Sequence, residues 1–179
     1  MTGESTYTLE NLMEFYRIAA TRMGARSRFI RPIYFLAGTV LALIGLVQGI
    51  GVLQGDGDLV AIALAAISLY LGVQLLYTGW KFYVGFAARA LKSIPENAQH
   101  CYFSFEEEQL VISNRLKSAS YPYEQFGVIY ETEKRFHFYI STYNGYILEK
   151  SGIHDATAEE LRSFLNSHRE NPVEQITIS

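Results

Sequence analysis

Hydrophobic and polar positions alternate in three different ways along this chain, and each predicts a different element. From Thr8 to about Phe29, Leu9, Leu12, Tyr16, Ala19 and Met23 recur at spacings of three and four. That spacing predicts an amphipathic helix with those residues on one face, N-capped by Thr8, with Glu10 in the first turn. Two unbroken apolar runs follow, Pro32–Gln54 and Leu59–Trp80, separated by the turn Gly55-Asp56-Gly57-Asp58. Each run is free of charge and long enough, at about 20 residues and 1.5 Å per residue, to cross a hydrocarbon layer of about 30 Å. The second helix is expected to run on to about Lys92, and Pro95 to stop it.

Beyond Cys101 the period changes to two. Segments Tyr102–Phe105, Gln109–Ser113, Tyr121–Tyr130, Lys134–Ser141 and Gly145–Glu149 read as strands. Phe136, Phe138 and Ile140 alternate with His137, Tyr139 and Ser141, which predicts one buried and one half-wet face. Tyr143-Asn144-Gly145-Tyr146 carries a hairpin-turn signal. Thr157 caps a last helix through about His168, with Leu161, Phe164 and Leu165 on its apolar face, and Arg169–Ser179 is expected to be a loose tail. The fold class predicted is an α+β membrane protein: an N-terminal amphipathic helix, a two-helix transmembrane hairpin, then a pleckstrin-homology-like antiparallel β-meander closed by a C-terminal helix. Residues 1–31, 32–54, 55–58, 59–80, 96–168 and 169–179 are its successive parts.

Charge adds an orientation. Before Pro95 the basic residues are Arg17, Arg22, Arg26, Arg28, Arg31, Lys81, Arg89 and Lys92, all flanking the outer ends of the hairpin. Its loop has none, so the positive-inside rule places both chain ends in the cytoplasm of an inner membrane. The first half of the amphipathic helix is expected to dock on the C-terminal domain, while Arg22, Arg26, Arg28 and Arg31 are expected at the membrane surface, with the lipid bilayer as their partner. The late start and length of the first apolar run argue against a signal peptide. With one cysteine, Cys101, no intrachain disulfide forms.

Small residues line a stripe on each span: Gly38, Ala42, Gly45 and Gly49 on the first, Ala61, Ala65, Ser68 and Gly72 on the second. Apolar burial does not drive association in lipid, so close approach through small residues is the expected glue. Two matching stripes joined by a short turn favour a hairpin within one chain; dimerisation through them is the rival reading.

The order of parts is also familiar. The opening Tyr7-Thr8-Leu9-Glu10-Asn11-Leu12-Met13-Glu14-Phe15, the run Tyr121-Pro122-Tyr123-Glu124-Gln125-Phe126-Gly127-Val128-Ile129-Tyr130-Glu131, and Phe138-Tyr139-Ile140-Ser141 followed by Gly145-Tyr146-Ile147-Leu148-Glu149-Lys150 resemble the YcxB-like family of bacterial membrane proteins. Glu149 stands where that family often has proline. The resemblance implies a short cytoplasmic helix, two spans and a C-terminal domain. It implies no activity, and it transfers no functional residues.

Candidate chemistry is sparse. His100 beside Cys101 lacks a second pair at zinc spacing, and His154-Asp155 reads as a turn before the last helix. His137 is read as half-buried on an exposed strand face. No phosphate-binding glycine loop is present, so no cofactor is expected. Arg115, Lys117, Lys134 and Arg135 would form at most a small basic patch in an acidic domain, which argues against nucleic acid. Tyr121, Tyr123, Tyr130, Tyr139, Tyr143 and Tyr146 make a tyrosine-rich sheet, read either as packing or as a partner groove. The function expected is a membrane-tethered, non-enzymatic interaction or regulatory module, with a protein partner or self-association. An oligomeric transport or channel subunit is the alternative, and a membrane-junction enzyme the third reading.

Overall fold

The computed structural model describes residues 1–23 and 27–177, without the side chains of residues 27, 28 and 56. The chain divides into two compact units, Met1–Met23 with Phe86–Ser179, and Gly24–Gly85.

In the second unit, α2 (Ser27–Gly51) opens into a wider turn at Val52–Asp56, which contains Gly55 at φ +96°. After α2 comes α3 (Leu59–Trp80), whose first turn is closed by the Asp58 carboxylate accepting from Ala61 N–H at 2.8 Å. Because α2 begins at Ser27, Pro32 stands inside the helix, in the first turn of the candidate span that opens at Phe29. Small residues let the two backbones approach. A Cβ added at Gly72 would lie 2.5 Å from Ala42 N, and one at Gly45 would lie 2.7 Å from Leu69 N. Outward, Leu36, Val47, Val60 and Trp80 are exposed. Only 11% of each apolar window is buried, unlike a core helix, which is mostly buried. Both helices are long and apolar enough to cross a membrane.

The first unit is a mixed α+β body. Thr8 caps α1 (Leu9–Arg22) in a reciprocal capping box with Asn11. The end of α4 (Phe82–Ser93) leads into the strands. One sheet contains β1 (Thr2–Thr6), β2 (His100–Phe105), β3 (Gln109–Ser113), β4 (Ser118–Pro122) and β8 (Ile153–His154), in the order β4-β3-β2-β1-β8. The other contains β5 (Val128–Glu131), β6 (Arg135–Ser141), β7 (Asn144–Glu149) and β9 (Glu174–Gln175), in the order β7-β6-β5-β9. All pairings are antiparallel except β5 with β9. Phe103, Phe105, Leu110, Phe126, Ile129, Phe136 and Phe138 fill the core, closed by Leu161 and Leu165 of α5 (Ala158–Ser167).

Several sequence expectations are corrected here. The polar segment Thr2–Thr6 is a strand, inserted between β2 and β8. It passes so close to Gly152 that a Cβ there would lie 2.0 Å from Glu4 O. The expected strand Tyr121–Tyr130 is broken: Pro122 ends β4, a helical turn spans Tyr123–Gln125, and β5 resumes in the other sheet. The hairpin turn falls before Asn144, not at it, and Gly145 instead lies in β7, where a Cβ would meet Phe138 O at 2.0 Å. Residues 169–177 dock instead of hanging loose. Arg169 is buried and donates to Tyr123 O at 3.2 Å and Phe126 O at 2.5 Å, and Ile176 N–H donates to Glu131 O at 2.8 Å.

Strand β6 is buried on both faces of its sheet from Arg135 through Tyr139. The covering element is α1, whose Leu12, Phe15, Ile18 and Ala19 pack with Tyr130, Tyr139, Ile147 and Ala87. The buried face of α1 is thus turned from the expected one: Phe15 and Ile18 are inside, while Leu9 is exposed.

Candidate interaction site

Two features of the first unit gather side chains that the core does not use. The first lies where α1 meets β6. Glu14 projects from α1 onto the sheet, and its carboxylate accepts from Thr132 Oγ1 at 2.8 Å and His137 Nε2 at 2.9 Å. Arg135 Nη1 donates to its other oxygen. The same guanidinium donates to Glu10 at 2.9 Å and Glu149 at 3.2 Å, so one buried cation joins three acidic side chains from α1 and β7. An ionised carboxylate only accepts, so Nε2 carries the His137 proton, and buried Nδ1 is left without a hydrogen-bond partner. His137 is therefore fully buried, not half-wet. Burial opposes the Glu14 charge, but the His137 hydrogen bond and the charge that ring carries once protonated, then the Thr132 hydrogen bond and the Arg135 charge, outweigh it and hold the carboxyl at about 2. A cavity of about 560 Å³ opens beside this cluster, its charges paired largely among themselves.

The second feature is a groove of about 590 Å³. Leu12, Phe15 and Tyr16 of α1, Ala90 and Ser93 at the end of α4, Ile94 and Pro95 just after it, Leu116 and Lys117 of the β3–β4 turn, and Tyr143 to Ile147 line it. Its floor holds the buried thiol of Cys101, and Lys117 is the only charged residue among the described ones that line it. Leu116 and Tyr143 are 57% and 51% exposed, two of the few large apolar side chains this unit shows to solvent.

A model of the family described as YcxB-like protein matches residues 105–165. The chain carries a YcxB-like domain. No curated protein and no solved structure matched the chain. The matched segment runs from the end of β2 into α5, so β1, α1 and the docked tail complete the body around the YcxB-like domain from outside that segment.

Within the YcxB-like domain the six tyrosines do not form one face. Tyr123 is buried and donates to Glu106 O at 2.6 Å. Tyr130 and Tyr139 are buried under α1, and Tyr139 donates to Phe15 O at 2.6 Å. Tyr121 and Tyr146 share a hydroxyl hydrogen bond of 2.7 Å. Only Tyr143 and Tyr146 reach the groove. Leu116, Lys117 and the α1 residues were missed as groove residues because the groove is assembled from distant segments.

The remaining sequence candidates fall as follows. Arg26 and the side chain of Arg28 lie outside the described residues, and Arg22 is exposed at the end of α1. Arg31 donates to Gly79 O at 3.4 Å and lies over the rings of Phe35 and Tyr83. Gly38, Gly45, Ala65 and Gly72 are buried between α2 and α3, and Ala42, Ala61 and Ser68 are half-buried. Gly49 has no neighbour within 4 Å of a built Cβ. His100 bonds Thr6 at 2.7 Å and Glu4 at 3.3 Å, and Asp155, at φ +60°, accepts from Thr2 at 3.2 Å. Arg135 is buried in the Glu14 cluster, so the basic patch does not assemble. Among the described residues no group of three His, Cys, Asp or Glu is arranged to hold a metal.

Proposed function

We propose that this chain is a membrane-anchored, non-enzymatic interaction module that presents a pleckstrin-homology-like body at the inner leaflet of the cytoplasmic membrane. The observation that carries the reading is the contrast between α2 and α3, apolar and 11% buried over their windows, and a first unit whose buried ionisable residues hold one another. Two sheets closed by α5 support the pleckstrin-homology-like assignment. The groove flanked by Leu116 and Tyr143 is the surface assigned to a protein partner.

Orientation follows from charge. Lys and Arg flank the outer ends of the two helices, and none stands in the loop between them. Each arginine of the group Arg22, Arg26, Arg28 and Arg31 contributes about 1 kcal/mol when it lies near an anionic leaflet.

The test is purification from native membranes of the wild type and of a Leu116→Asp, Tyr143→Asp variant with an unchanged melting temperature. The reading expects the same stoichiometric partner with the wild type and its loss from the variant. Wild type and variant that both purify alone, with ion flux when the pure protein is placed in liposomes, would instead favour a transport subunit.

A further inference from the structure

We propose that the contact of Glu14 with His137 and Arg135 is a proton-sensitive latch: it holds α1 on the sheet at neutral pH and lets it loosen as the pH falls toward 5. The latch is a regulatory device separate from the partner groove, although Leu12, Phe15 and Tyr16 of the latched helix also line that groove. Release of α1 would therefore dismantle one groove wall.

The geometry gives the reason. His137 is fully enclosed, and its one partner, Glu14, is already satisfied by the Nε2 proton. A second proton would go to Nδ1, which has no acceptor. The new charge would also sit in the field of the Arg135 guanidinium. Burial, and then Arg135, hold His137 below the usual imidazole range, against the pull of Glu14. The other groups facing the pair are Glu10 and Arg17 of α1, Glu149 of β7, Tyr130 of β5, Tyr139 of β6 and Lys134 of the β5–β6 turn. Glu10 and Glu149 are turned to Arg135, and neither lies within hydrogen-bond reach of Nδ1.

The direction follows by linkage. Above about pH 6.5 the imidazole is neutral whether α1 is docked or free, and docking is at full strength. Below that, the free state takes up a proton that the docked state refuses, so docking weakens by up to about tenfold per pH unit. Glu14, held at about 2 when docked, adds a second loss once the pH falls below the ordinary carboxylate range.

Hydrogen exchange of the full-length protein in detergent micelles, corrected for intrinsic rates, tests the latch at pH 7.5 and 5.0. Protection of amides in Leu9–Arg22 is expected to fall at least about tenfold at the lower pH, with Ala158–Ser167 unchanged. His137→Gln keeps a donor for Glu14 without a titrating ring, and its α1 protection should not vary with pH. Tyr139→Phe should lower α1 protection at both pH values while keeping the wild-type slope. A flat wild-type profile, an unchanged slope in His137→Gln, or simultaneous loss of protection in α1 and α5 would overturn the latch.

Discussion

Tyr139 on β6 stacks its ring on Phe15 of α1 at 4.2 Å between centroids, and its hydroxyl donates to the Phe15 carbonyl at 2.6 Å. One side chain thus supplies both the apolar floor and the polar tie for a helix that arrives from the far end of the sequence. Tyr139→Phe keeps the stacking and removes the hydroxyl's bond to a carbonyl that still accepts within the α1 ladder. The expected cost is about 0.5–1.5 kcal/mol, read as a lower midpoint in denaturant unfolding of the purified protein.

The packing of α2 on α3 gives a second expectation. A side chain at Gly72 would run into the Ala42 backbone, whereas Ala63 points outward. Gly72→Leu should cost about 1–3 kcal/mol or more by overpacking, and Ala63→Leu close to nothing. Melting curves in detergent compare them directly; equal tolerance would show that the close approach is not needed.

Arg169 supports a third. Its guanidinium satisfies two carbonyls in the turn that carries the chain from one sheet to the other. Arg169→Ala should cost on the order of 2 kcal/mol, and truncation after His168 should cost more because Val173 and β9 go with it. Thermal unfolding of both variants measures this, and a wild-type melting temperature after truncation would contradict a structural tail.

What the sequence disclosed depended on how local each signal was. The two apolar runs were legible as long helices because each is an unbroken uncharged stretch, and their exposure, 11% buried over each window, is what the structure adds. Strand β1 was not: its inward residues are Gly3 and Ser5, too small to announce burial. His137 and Tyr139 read as a half-wet face because strand alternation says nothing of a helix more than a hundred residues away that covers it. Arg169 looked like tail polarity, since a charged residue discloses burial only through the carbonyls it meets. The groove was legible only in Tyr143 and Tyr146, the two members of the tyrosine set that its lining includes.

The central claim is a membrane hairpin that holds the YcxB-like domain on the cytoplasmic side, and substituted-cysteine labelling tests it most directly. In a Cys101→Ser background, single cysteines are placed at Gly57, in the loop between α2 and α3, and at Tyr143, on the exposed hairpin tip. With a membrane-impermeant maleimide on intact cells freed of any outer barrier, Gly57→Cys should label at once, and Tyr143→Cys only after the membrane is permeabilised. Labelling of Tyr143→Cys in intact cells, with Gly57→Cys protected until permeabilisation, would contradict the orientation and the function built on it.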